Sequence, residues 1–238
     1  MKRSIVWMAA ALATLAGTAT PADAADPRYY PAPANAFQLR MGYHAPSDGG
    51  TFWQDVEDRF TLQASDFNGL AWGASFIGGL SPYVEFGVTA DWYEETVTAG
   101  ERYYIDTDGF PILHDTTLSQ FPLGVDLRFI PGGRKVGKPV FFLGAGAGLN
   151  FWEYHEIGDF VDEGDPALPV YFGDFHASGE TLEGRVLAGL EIPVSPAFNL
   201  SFEGRYSFGE SDLEDDFEGF GTIEPGGMFF FVGGSFRF

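Results

Sequence analysis

Residues Gly226 to Phe238 read GGMFFFVGGSFRF. One parity, Met228, Phe230, Val232, Gly234, Phe236 and Phe238, is apolar apart from one glycine. The other mixes Phe229 and Phe231 with Gly233, Ser235 and Arg237. A period of two marks a β-strand, whose successive side chains point to opposite faces. One face of this strand therefore meets an apolar medium along its whole length, in a chain of formal net charge −21.

The same alternation recurs in seven earlier segments: Phe37 to Tyr43, Gly69 to Gly79, Val84 to Tyr93, Leu118 to Phe129, Val140 to Trp152, Thr181 to Ile192 and Phe198 to Phe208. Most are about 10 residues long, the length that a tilted strand needs to cross a bilayer. Three connections are short: LSP at residues 80–82, IPGGRKVGKP at 130–139 and PVSPA at 193–197. The other four, residues 45–68, 94–117, 153–180 and 209–225, are long, and long alternates strictly with short. Eight antiparallel strands with short turns at one rim and long loops at the other predict an all-β, eight-stranded, up-and-down transmembrane β-barrel. A β-sandwich has no reason to sort its loops in this way. Composition agrees. Aromatic residues make up 17% of the chain, yet mean hydropathy is only −0.04, because outward and inward residues alternate and cancel.

The first residues supply the compartment. MKR is followed by an apolar run from Ile5 to Ala16 and by a small-residue site at Ala22-Asp23-Ala24, the pattern of a cleaved signal peptide over residues 1–24. The run is too short to span a bilayer as a helix, which takes about 20 apolar residues. A Pro-rich lead-in over residues 25–36 then precedes a barrel over residues 37–238. The chain contains no cysteine, so disulfides and thiolate chemistry are excluded.

The apolar parity carries Trp72, Trp92, Phe121, Phe129, Phe141, Phe151, Phe198, Phe208 and Phe238 near strand ends, as expected of interfacial aromatic belts. The opposite parity carries Arg40, Arg128, Arg185, Arg205 and Arg237 together with Glu85, Asp91, Asp126, Glu183, Glu191 and Glu203. Five arginines and six carboxylates on one face, without a lysine, predict a lumen filled by paired charges, because guanidinium suits confined bidentate contacts. Eight strands leave room inside only for side chains.

With these features, and with strands such as FPLGVDLRF and PVFFLGAGAGLNF and the ending GGSFRF, the chain resembles the small outer-membrane β-barrel proteins of the OmpA, OmpX and OmpW kind. The resemblance implies an integral place in a Gram-negative outer membrane, among lipids and lipopolysaccharide. It also implies that the barrel-assembly machinery reads the last strand at Phe230, Phe236 and Phe238. A monomer is expected. Some OmpW-like relatives are thought to conduct small hydrophobic molecules, and some eight-stranded barrels modify lipid A with a His, a Ser and a carboxylate.

Several motifs take plainer readings. GAGAG at Gly144 to Gly148 lacks the following helix of a dinucleotide loop. Its glycines face the lumen and are expected to make room for Phe142 and Trp152. DTDG at Asp106 to Gly109 and ESDLEDDFEG at Glu210 to Gly219 lack the full calcium-loop spacing and are expected to be solvated acidic loops. His44 falls at the outer end of the first strand, while His114, His155 and His176 are scattered in the long loops. Glu153, His155 and Glu156 could make an acid–base group, as any acidic loop holding a His could. Residues 153–180 and 209–224 carry fifteen acids and no Lys or Arg, which excludes nucleic acid as a partner. Such loops are expected to recruit divalent cations through shared, weak carboxylate sites, and their interleaved aromatics to fold into a cap. Arg134, Lys135 and Lys138 fall in a short turn at the opposite rim. The sequence thus predicts a non-enzymatic barrel without cofactor, its lumen closed by charge pairs, with a structural or surface-interaction role; the alternative is a conduit for small hydrophobic molecules.

Overall fold

The computed structural model describes residues 35–238. The expected signal peptide and nearly all of the expected lead-in lie outside the described residues. The strands are β1 (Asn35–Pro46), β2 (Gly69–Ser81), β3 (Val84–Ile105), β4 (Pro111–Phe129), β5 (Val140–Val161), β6 (Val170–Pro193), β7 (Phe198–Phe208) and β8 (Gly227–Arg237). They form one closed antiparallel barrel in which every sequential pair is hydrogen-bonded, and β8 pairs with β1 to complete the ring. Leu39, for example, stands between Ala74 of β2 and Gly234 of β8. Within the ring, closure leaves no strand edge unpaired, which is the condition for a sheet to stand in lipid.

The period-two pattern sets the faces. Leu39, Met41, Trp72, Val125, Leu127, Phe230 and Val232 are exposed on the outer wall, whereas Gln38, Arg40, Asp91, Arg128, Arg205 and Ser235 are buried inside. A soluble barrel would reverse this arrangement.

Two of the four long connections are not loops. Residues 94–117 and 153–180 largely continue the strands, so β3 to β6 run for 22, 19, 22 and 24 residues, while β1, β2, β7 and β8 have only 12, 13, 11 and 11. The ladder persists from Thr96↔Thr117 to Ala99↔His114 and from His155↔His176 to Val161↔Val170. Beyond Trp92 and Phe151 the outward positions become Glu94, Thr96 and Thr98, and Glu153 and His155. Hydrogen bonding continues where the apolar period stops. The barrel is therefore lopsided, with a tall wall of four strands on one side and a low wall on the other.

The low side is filled by two loops that pack over the opening. Residues 47–68 contain helix α1 (Phe52–Arg59), which buries Phe52, Trp53 and Val56, and a short turn of helix at Ala64–Phe67. Residues 209–226 contain a two-residue ladder, Ser211–Asp212 with Thr222–Ile223, and bury Leu213, Phe217 and Ile223. These join Phe60, Leu62, Phe67, Tyr93, Trp152, Tyr154, Phe160, Phe229 and Phe231 in one apolar cluster across the outer mouth. The acidic stretch 210–219 is thus anchored through Leu213 and Phe217, not merely solvated.

Candidate functional site

The lumen places its charges in two groups. In mid-barrel, Arg40 donates to Asp91 through Nε at 3.0 Å and Nη2 at 2.7 Å, and to Glu203 through Nη1 at 2.9 Å. Glu203 also accepts from Arg128 Nη2 at 2.8 Å, and Asp91 accepts from Arg205. Two carboxylates thus join three guanidiniums, and the side chains of Arg40, Asp91, Arg128 and Glu203 are fully shielded from solvent. Rings cover them: Phe231 lies 4.5 Å from the Arg40 guanidinium, and Phe142 lies 4.7 Å from that of Arg128. Arg185 stands apart. It donates to Thr89 Oγ1 at 2.7 Å, with Glu183 at 3.3 Å and Asp126 at 3.6 Å.

The second group closes the short-turn rim. Glu85 and Glu191 are both bridged by Arg237, and both are also bridged by Arg134, at 2.6 Å to Glu85 and 2.8 Å to Glu191. Arg134 corrects the sequence reading, in which it is only a turn residue. Ile130 and Gly133 close that turn, Gly133 at φ +64, and the Arg134 amide bonds the Pro82 carbonyl of the neighbouring turn at 2.7 Å. The side chain is thereby delivered into the barrel mouth. No sequence period marks a turn residue for this role.

The glycines of β5 also do other work than expected. A Cβ at Gly148 would overlap Arg185 Nη2, and one at Gly146 would overlap Asp126 Oδ1. One at Gly124, across the ladder, would strike Arg185 Nη2 as well. Gly124 and Gly148 make room for the Arg185 head group, and Gly146 for the Asp126 carboxylate. Phe142 and Trp152 are accommodated instead by Gly189 and Gly179.

Above mid-barrel the filling turns aromatic. His44 is a lumen residue, fully buried, stacked on Phe229 at 3.9 Å and edge-on to Tyr93 at 4.5 Å. Phe52 and Phe217 pack on Tyr154 above it. Over this floor the cap encloses a cavity of about 270 Å³, open outward, between α1, the tall wall and residues 216–220. Helix α1 is not among the elements expected from the sequence, although Phe52, Val56 and Phe60 at steps of four carry its period.

One buried acid faces this cavity. Glu156 accepts a hydrogen bond from the Tyr154 hydroxyl at 2.6 Å, and burial pushes its carboxyl up to about 7. Glu101 on β3 is raised for the same reason. Burial lowers His114 to about 4, packed between Phe60 at 4.5 Å and Phe160 at 4.6 Å. Strand alternation divides the acid–base trio of the sequence: Glu156 points in, while Glu153 and His155 point out. His155 and His176 are direct cross-strand partners, and each meets a carboxylate, Asp174 at 2.8 Å and Glu153 at 3.3 Å. Among the described residues no hydrogen bond joins a histidine ring to a hydroxyl, and no group of three or more His, Asp or Glu is placed to hold a metal ion. The Asp106 and Asp108 carboxylates accept from the backbone of their own turn, on Thr107 and Phe110.

Phe230, Phe236 and Phe238 all lie exposed on the outer face at or just beyond β8.

No family model matches the chain. No curated protein matches it either. Among solved structures, the neisserial surface protein A matches with a TM-score of 0.51 at 13% identity, over 86% of this chain and 97% of that one. A major outer membrane protein from Thermus thermophilus (TM-score 0.48, 13% identity, 86% and 100%) and the outer membrane protein OprG from Pseudomonas aeruginosa (0.45, 13%, 87% and 97%) are also similar. The chain has the fold of the small eight-stranded outer-membrane β-barrel proteins.

Proposed function

We propose that the chain is a closed, non-enzymatic barrel, inserted in an outer membrane after signal-peptide cleavage, whose role is carried by the cap that it presents to the medium. The carrying observation is the filling of the lumen from rim to rim. Arg134, Arg237, Glu85 and Glu191 occupy the short-turn mouth, Arg40, Asp91, Arg128, Glu203 and Arg205 the middle, and Phe229, Tyr93, Tyr154 and α1 the outer end. An ion crossing this path would displace several buried pairs, each costly to break because a confined charge is left without its partner. Divalent cations bridging the acidic outer loops, to one another or to lipid phosphates, belong to the same reading. The test is conductance. The purified chain in a planar bilayer is expected to give no current steps, whereas Arg134→Ala combined with Arg40→Ala should leak. Steady ohmic conductance by the unaltered protein would overturn the closed-barrel reading.

The aromatic cavity favours one alternative, a conduit that takes up small hydrophobic molecules. It requires α1 and Phe217 to leave the floor. Uptake of an apolar dye into liposomes, stopped by cross-linking α1 to β5, would establish that path.

A further inference from the structure

The outer end of this barrel is built almost without base. Residues 45–68, 94–117, 153–180 and 209–225 hold twenty-six Asp and Glu against Arg59 and Arg102 alone. Such a field concentrates cations at the cap and repels anions. The cap cavity opens into it. Its wall is aromatic, with Phe52, Phe60, Phe160, Phe175, Phe217 and Phe220 around the void, and ring faces carry partial negative charge. Asp55, Glu156 and Asp216 reach the same space, with Arg59 as the one cation. Arg59 lies over the Phe60 ring at 5.2 Å, its Nε buried without a hydrogen-bond partner. Glu156 is only 3% exposed, and its one hydrogen-bond donor is the neutral Tyr154 hydroxyl.

These features together select a ligand. A neutral apolar molecule would cover Glu156 without offering it a partner. An anion would face three carboxylates. A divalent metal ion needs oxygen ligands all round, and the rings supply none. An organic cation satisfies both the carboxylate and the ring faces, and aromatic cages of this kind hold quaternary ammonium groups elsewhere. At about 270 Å³ the space is near the lower limit of ligand pockets, which suits a molecule of about a dozen heavy atoms. We propose that the cap cavity binds a small organic monocation with an aromatic or alkyl body, its ammonium group held by Glu156 and the surrounding rings. This site lies above the aromatic floor, so its occupancy is independent of whether the lumen conducts.

The position of Glu156 adds a pH signature. The groups facing it are the Tyr154 hydroxyl from its own strand, Arg59 and Asp55 from α1, Glu101 from β3 and Asp216 from the last loop, while His155 sits on the opposite face of β5. Burial holds the carboxyl at about 7, and a bound cation favours its ionised form, so binding should tighten as pH rises from about 6 to about 8.

The experiment is calorimetric titration of the full barrel, refolded in non-ionic detergent, with benzyltrimethylammonium, whose charge does not vary with pH. Benzyl alcohol and benzoate serve as the neutral and anionic comparators. We expect one site, filled by the cation at least about tenfold more tightly than by the alcohol, and no heat from benzoate. Glu156→Gln should weaken the cation about tenfold and flatten the pH dependence. Asp55 and Asp216 are exposed at the mouth. Asp55→Asn with Asp216→Asn leaves the core intact and should weaken binding about threefold, and Arg59→Gln should strengthen it. These surface variants decide the matter if Glu156→Gln does not fold. Equal affinity for benzyl alcohol, preference for benzoate, weaker cation binding by Arg59→Gln, or no binding of the cation by a folded barrel would each overturn the proposal.

Discussion

Glu203 and Asp126 occupy the same lumen and differ in what holds them. Glu203 accepts from both Arg40 and Arg128, whereas neither Asp126 oxygen has a hydrogen-bond partner and its nearest guanidinium atom lies at 3.6 Å. Glu203→Ala strands two shielded guanidiniums and should destabilise the barrel by about 3–5 kcal/mol. Asp126→Asn removes a charge that lacks close partners and should cost less than about 1 kcal/mol. Thermal unfolding in detergent, read by gel mobility or circular dichroism, measures both. Equal losses would mean that the lumen is wet and its pairs are screened. The positions of these charges were legible in the sequence, because strand parity alone assigns Arg40, Asp91 or Glu203 to the inside. Their partners were not. Pairing depends on barrel stagger and on which head group a glycine admits, as Gly124 and Gly148 do for Arg185.

Among the elements, β8 and α1 mark the two limits of that legibility. The parity of β8 is explicit in the sequence, and Phe230, Phe236 and Phe238 share the lipid-facing side. By the family resemblance, deletion of Phe238 should lower the amount of barrel in the outer membrane while synthesis and signal cleavage continue. Cell fractionation checks this, and an unchanged level would remove the assembly role. The outer halves of β3 to β6 were hidden because their outward side chains change from apolar to polar above Trp92 and Phe151. A period read from hydropathy ends at the membrane surface, whereas a hydrogen-bond ladder need not. Helix α1 and Glu156 together give the cap a pH dependence. The folded carboxyl, at about 7, lies above its ordinary 4.5, so its contribution is fully present below the ordinary value and is lost as pH rises through about 7. The loss is on the order of 3 kcal/mol. Protease nicking within residues 47–68 and 209–226 should therefore increase from about pH 5 to about pH 8, and Glu156→Gln should remove the trend. Nicking that is equally steep in the variant would assign the effect to other acids.

At the scale of the whole molecule, the lopsided rim divides the outer end into materials of different kinds. On the tall side, residues 94–105 and 111–117, and 153–161 and 170–180, are laced into neighbouring strands by backbone hydrogen bonds. On the low side, residues 47–68 and 209–226 are held chiefly by side chains, Phe52, Trp53, Leu213 and Phe217 among them, over a short helix and a two-residue ladder. Amides bonded within the ladder of the first kind are held by a continuous sheet, whereas amides of the second kind need only a local excursion to open. Deuterium entering from the medium should therefore separate the cap into two clocks. The ladder-bonded amides of the tall wall would label slowly, as those of the membrane-embedded strands do, and the two low loops faster by orders of magnitude. The chain thus keeps its quick half on the side where α1 borders the cavity, so the outline of that space shifts at the tempo of the low loops.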